Sequence, residues 1–291
     1  MTKTNTVLFT GGTHGNELTG VRLIEHWVSL GAQFTRPGIS VKGLMTNPKA
    51  VLQRVRFVDE DLNRQFALEQ QKSGARDFHE GLIATHLTAQ IGPQSAAQPD
   101  LIVDIHNTTS HMGATLILLA NDRFNQQLAR FVFNRMPQCN ILLEDEKPFE
   151  EHVYLCTLGK RGVMIEMGAQ PQGVCRAALF KQSIQLLNHI MDFCALWNTG
   201  NVGDLPPCKA YRFVENIKFP LNHQGLVDAM VHPSIQDNDF APLAPGAPAF
   251  IDFAGNAIPL DNTNTVYPHF INEAAYQRSH VAFATATTFE W

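Results

Sequence analysis

The sequence predicts an α/β fold, with a largely parallel sheet flanked by helices and a smaller β-rich C-terminal domain. Two observations lead there. Short apolar runs closed by glycine turns alternate with apolar residues at helical spacing as far as Trp197, which is the pattern of βαβ units. Beyond Asn198 the helical period is lost, and short strand-like runs are punctuated by Pro and Gly.

Taken in order, Asn5 to Thr10 reads as a strand ending at Gly11-Gly12, and Val21, Ile24, Trp27 and Val28 recur as one face of a helix. Ile39 to Thr46 reads as a strand, Phe78 to Ile91 as a helix, and Leu101 to Ile105 as a buried strand. Further strands are expected at Ala114 to Ala120, Asn140 to Leu143 and Gly162 to Met167, with helices near Phe124 to Met136 and Arg176 to Trp197. The Gly-, Asn- and Pro-rich stretch from Asn198 to Pro207 marks a boundary near 200, dividing the chain into residues 1–200 and 201–291. In the second part, Ala210 to Val214, Leu226 to His232, Ala249 to Phe253 and Thr265 to Phe270 read as short strands.

The 291 residues carry a formal charge of −5, with 17% charged residues and no extended basic run, so the electrostatic footprint of a nucleic-acid binder is missing. Val7-Leu8-Phe9 is far short of a signal-peptide core, and the longest later apolar run, Leu116 to Ala120, is too short to span a bilayer. A cytoplasmic protein without membrane or nucleic-acid partners is expected. Five cysteines, odd in number and without a C-x-x-C pair, read as reduced thiols.

Chemistry concentrates at the carboxyl ends of the expected strands, where open α/β sheets bind ligands. Gly11-Gly12-Thr13-His14-Gly15-Asn16-Glu17 follows the first strand, and His14 and Glu17 are three apart, a spacing and pair of ligand types that suit Zn²⁺. The pair alone decides nothing, since roughly 0.5 such pairs arise by chance in a chain this long, and a glycine turn or helix cap reads equally well. Neither dinucleotide-binding nor P-loop spacing is present. Asp104-Ile105-His106-Asn107 ends the most apolar strand, which makes His106 the best third ligand, with Asp104 on the same face either to orient its ring or to cap a turn. Glu166 lies in the apolar strand Val163 to Met167, where burial raises a carboxyl toward the range of a general base; a buried structural glutamate paired to arginine is the alternative. Arg56 to Arg64 offers two arginines and the Asn63 amide, a set that binds a carboxylate or forms a solvated salt-bridge patch.

Six segments in order, GGTHGNELTGV at 11–21, DLNR at 61–64, DIHNTTSHMG at 104–113, IEMGAQPQGVCRA at 165–177, HPSIQDNDF at 232–240 and TVYPHFINEAAY at 265–276, resemble the aspartoacylase and aminoacylase-3 family of zinc amidohydrolases. The resemblance runs nearly end to end and implies a zinc-carboxypeptidase-like fold. It implies that His14, Glu17 and His106 hold one Zn²⁺ per subunit, that Glu166 activates water and returns the proton to the leaving amine, and that Arg56 polarises the scissile carbonyl. Asn63 and Arg64 match the pair that grips the substrate carboxylate, and Tyr276 the tyrosine that a capping C-terminal domain adds to the pocket. The implied activity is cleavage of small N-acyl-L-amino acids to a carboxylate and a free amino acid, nominally N-acyl-L-aspartate, by an enzyme that is a homodimer.

One departure bears on the substrate. Enzymes preferring N-acetyl-aspartate carry an arginine ten residues before the catalytic glutamate, and Cys156 stands there. The lysines that follow the NEAAY tyrosine are replaced by Ser279 and His280. In this respect the chain resembles the aminoacylase-3 branch, which favours aromatic or other neutral N-acyl amino acids, unless Lys160 or Arg161 fills the gap. A desuccinylase, an open-cleft peptidase and a zinc- or ligand-binding module without catalysis are the rival expectations.

Overall fold

The computed structural model describes residues 2–69 and 76–291. A nine-stranded mixed sheet forms the centre, in the order β11-β12-β7-β5-β4-β6-β3-β1-β2. Its strands are β1 (Thr6–Gly11), β2 (Ser40–Met45), β3 (Leu101–Asn107), β4 (Ala114–Leu118), β5 (Asn140–Leu143), β6 (Gly162–Met167), β7 (Lys209–Lys218), β11 (Tyr267–His269) and β12 (Val281–Glu290). The pairs β1–β2, β1–β3, β3–β6, β4–β5 and β5–β7 are parallel, whereas β4–β6, β7–β12 and β11–β12 are antiparallel. β3 is buried along its whole length, which is why it reads as a nearly continuous apolar run.

Helices cover both faces: α1 (Leu18–Glu25), α2 (Trp27–Leu30), α3 (Pro48–Gln53), α4 (His79–Ile91), α5 (Arg123–Arg135) and α6 (Ala177–Thr199). Alternate residues of each strand feed opposite cores. Phe9, Val103 and Ile105 meet Phe124, Phe131 and Phe193 of α5 and α6, while Leu8, Ile102 and Met164 meet Leu62, Leu87 and Leu155 on the other side. A third cluster, including Val231, Phe250 and Phe283, serves a small sheet of β8 (Ala229–Val231), β9 (Pro248–Asp252) and β10 (Ala257–Pro259). No helix among the described residues is long and apolar enough to cross a membrane.

The structure departs from the sequence reading in two places. The helix expected across Val21 to Val28 breaks at His26, and Val28 is 99% exposed instead of joining the apolar face. Val281–Glu290, absent from the expected strands, is one of the two longest; its Ala282, Ala284 and Ala286 are weak strand formers held by pairing along β7. β7 pairs with β5 at Leu142–Tyr211 and Leu143–Arg212, so the central sheet runs through the change of texture near 200.

Candidate active site

Every site residue expected from the sequence (His14, Glu17, Arg56, Asn63, Arg64, His106, Glu166 and Tyr276) lines one pocket at the strand ends. The loop after β1 enters through Gly12, whose φ of +72° suits glycine, and passes so close to α3 that a Cβ on Gly15 would sit 2.2 Å from the Ala50 carbonyl carbon. Gly15 N–H donates to the Arg56 carbonyl at 3.1 Å, which sets His14 against the second loop. The third group arrives by register: parallel pairing of β3 with β6 places Glu166 beside His106.

His14, Glu17 and His106 offer ligand atoms that all lie within 4.8 Å of one another. The Nδ1 atoms of the two imidazoles are 3.2 Å apart, and Glu17 approaches them at 2.7 Å and 3.0 Å. Each imidazole has its other nitrogen on a carboxylate: His106 Nε2 on Asp104 at 2.7 Å and His14 Nε2 on Asp61 at 2.8 Å. A proton on Nε2 donated to the carboxylate leaves both Nδ1 lone pairs aimed at Glu17, which is the donor set and tautomer control of a metal-binding triad. The residues therefore fit a single Zn²⁺ with three protein ligands.

The outer groups are fixed in turn. Asp104 accepts hydrogen bonds from Thr10 at 2.7 Å and Thr13 at 2.9 Å. Burial opposes its charge, but His106 and these hydroxyls hold its carboxyl below the usual range. Burial also opposes the charge on Glu17, yet His14 and His106 keep it well below its ordinary value. Asp61 is held far lower than a free aspartate by His14 and Arg56, against the same burial. Arg56 donates to Glu17 at 2.7 Å and to Asp61 at 3.2 Å, which leaves guanidinium N–H groups for a ligand.

Glu166 is the opposite case. Burial pushes its carboxyl well above the usual range, Glu17 and Glu273 push the same way, and His106 only partly offsets them. Its Oε2 is buried without a hydrogen-bond partner among the described residues. Asn63 is held by the Leu155 N–H at 2.8 Å, and its amide lies 3.3 Å from His106 Nε2. Arg64 lies 5.3 Å from the centre of the Tyr154 ring.

Several contributors were not expected. Asp61 pairs with both His14 and Arg56, although its place in the DLNR run was visible. Glu80 accepts the N–H groups of Val58, Asp59 and Glu60 at 2.7–3.1 Å and so anchors the loop that carries Arg56. Glu144 and Tyr154 line the pocket; Glu144 directly follows an apolar strand, so the strand-end rule would have found it. Glu273 ties the Tyr276 turn to the loop after β3 through the Thr108 hydroxyl and the Thr109 N–H. Cys156 is fully buried in the turn Leu155–Leu158 and does not line the pocket. Nor do Lys160 and Arg161 fill its place: Lys160 pairs with Asp100 at 2.8 Å, and Arg161 lies 4.4 Å from the Phe124 ring centre.

The model of the succinylglutamate desuccinylase/aspartoacylase catalytic domain matches residues 3–194. The chain belongs to this family. A second model from the same family, the AstE/AspA barrel-sandwich hybrid domain, matches residues 206–288. Among similar family members, the aspartoacylase of Rattus norvegicus is 41% identical across 95% of this chain and 90% of its own length. The N-acyl-aromatic-L-amino acid amidohydrolase (carboxylate-forming) of Homo sapiens is 38% identical across 97% of this chain and 90% of its own length. The crystal structure of murine aminoacylase 3 superposes with a TM-score of 0.92 at 36% identity, covering 100% of this chain and 97% of that one. Family members of both names thus resemble the chain at nearly equal distance.

Proposed function

We propose that the protein is a zinc-dependent amidohydrolase that cleaves small N-acyl-L-amino acids to a carboxylate and a free amino acid. The observation that carries this reading is the pairing of His106 with Glu166 in adjacent strands, which sets a proton-accepting carboxylate beside a His-Glu-His triad. A Zn²⁺ held by His14, Glu17 and His106 would supply Lewis acidity toward the acyl carbonyl and toward water.

Glu166, raised by burial, takes a proton from the attacking water and returns it to the departing amine. Arg56, beside Glu17, meets the negative oxygen that develops on the acyl carbonyl. Arg64 and Asn63 receive the α-carboxylate, and Tyr276 closes the pocket from the C-terminal part of the chain, residues 201–291, which caps the site and restricts it to short substrates. No free serine or cysteine nucleophile is needed.

Two forms of the activity differ in the amino acid released. N-acyl-L-aspartate is the nominal substrate by resemblance, whereas the pocket composition supports an aminoacylase-3-like preference for aromatic or neutral side chains. Arg56 and Arg64 are the cations of the lining, and Ile117, Met164 and Phe270 supply its apolar surface. With both arginines assigned to the carbonyl and the α-carboxylate, a second substrate carboxylate meets no guanidinium. Comparing kcat/KM for N-acetyl-aspartate, N-acetyl-phenylalanine and N-acetyl-tyrosine on the zinc-loaded protein tests both levels. Turnover lost to a chelator and restored by Zn²⁺ supports the amidohydrolase, and zinc-loaded protein inert toward all three overturns it.

A further inference from the structure

Glu144 follows β5 directly, and its backbone N–H donates to Leu118 O at 2.8 Å, so the ladder with β4 fixes where its side chain starts. The residue is 8% exposed. Its carboxylate accepts the Tyr154 hydroxyl at 3.1 Å, and among the described residues it forms no ion pair. A buried carboxylate with one neutral partner keeps unused acceptor capacity and an unneutralised charge.

The position of Glu144 gives that charge a role. It lines the reaction pocket and also an adjoining cavity of about 390 Å³, and Arg64, Tyr154, Phe270 and Tyr276 are shared by the two. None of His14, Glu17, His106 and Glu166 reaches the second cavity, so the shared wall stands on the side away from the hydrolysed bond. We infer that Glu144 is a specificity-determining residue, which faces the amino-acid side chain of the bound substrate and repels an anionic one. This rests on the deacylase reading and assigns the selection to a group distinct from Arg64 and Asn63.

The selection is pH-dependent. Burial, reinforced by Glu146, raises the Glu144 carboxyl to about 7, while the Tyr154 hydrogen bond, Arg64 and Lys147 act in the opposite direction. Tyr276 faces it across the pocket wall and remains neutral, its hydroxyl pushed up by burial. Glu144 is therefore neutral below this value and charged above it, whereas the side chain of N-acetyl-aspartate is anionic throughout. A ratio of two substrates cancels titrations that affect both equally.

The test is the ratio of kcat/KM for N-acetyl-aspartate to that for N-acetyl-phenylalanine, measured from pH 6 to pH 8 on the zinc-loaded protein and on Glu144→Gln. The wild-type ratio should fall by about fivefold to tenfold across this range, and in Glu144→Gln it should be flat and about tenfold higher at pH 8. The wild-type series stands alone if the variant fails to fold. An active enzyme whose ratio does not change with pH overturns the role of Glu144 while leaving the deacylase reading intact. A protein inert toward every N-acyl amino acid overturns both.

Discussion

The carboxylate of Glu273 accepts the Thr109 N–H at 2.7 Å, joining residues 164 positions apart and holding the C-terminal turn against the loop that leaves β3. The same side chain caps its own turn through Ala275 N–H at 3.0 Å, so the segment that brings Tyr276 to the pocket is pinned at its start. Glu273→Ala removes both anchors and leaves half-buried N–H donors unpaired. We predict a KM for N-acyl amino acids raised by about tenfold and a stability loss of about 1–3 kcal/mol, with zinc content unchanged. Glu273→Gln retains an acceptor and should recover part of the loss; steady-state kinetics beside metal analysis decides.

Asp104 orients His106 from behind. Asp104→Asn keeps the shape but weakens the charge-assisted bond to Nε2, which lowers the basicity of Nδ1. Zinc affinity, measured by competition with a chromogenic chelator, should fall about 10–100-fold. Equal affinity in variant and wild type would remove Asp104 from the site.

The assignment of Glu166 separates chemistry from metal binding. Glu166→Gln should lower kcat by at least about 10²-fold while zinc stoichiometry stays near one per chain. Parallel loss of zinc would instead make Glu166 a ligand.

Glu80 accepts three consecutive N–H groups of the Arg56 loop together with the Asn47 amide. Burial opposes its charge, but the Val58 N–H, Asn47 and the other donors hold the carboxyl below its usual value of 4.5. Its contribution to stability is thus complete above that value and is lost as pH falls below it. Thermal unfolding at pH 7 should show Glu80→Ala destabilised by about 2–3 kcal/mol, with the gap to wild type closing on acidification.

Glu144 carries the reverse sign. A carboxyl raised from 4.5 to about 7 by burial weakens the folded state increasingly as pH rises between those values, and the cost is complete above them. Glu144→Gln should therefore be more stable than wild type at pH 8, by on the order of 3 kcal/mol, and show no advantage at pH 4. A melting-temperature difference that does not vary with pH would contradict this.

Both His106 and Glu166 were legible because each is a polar residue near the carboxyl end of a mostly apolar strand, and that contrast is local in the chain. The same holds for β5 and β6, whose limits match expectation, since a largely buried strand has little besides apolar residues to mark it. Less local features were missed. Val281–Glu290 forms because β7 lies beside it, and its alanines give little intrinsic preference for that state.

By itself, then, the sequence determined the alternating architecture, the family and eight of the residues that line the pocket. Only the tertiary structure decided which carboxylates surround them: Asp61 behind His14, Glu80 beneath the Arg56 loop, Glu273 across to Thr109, and Glu144 in the pocket wall. Strand register and loop closure set those distances, and a carboxylate's effect depends on distance and burial, neither of which is carried by its position along the chain.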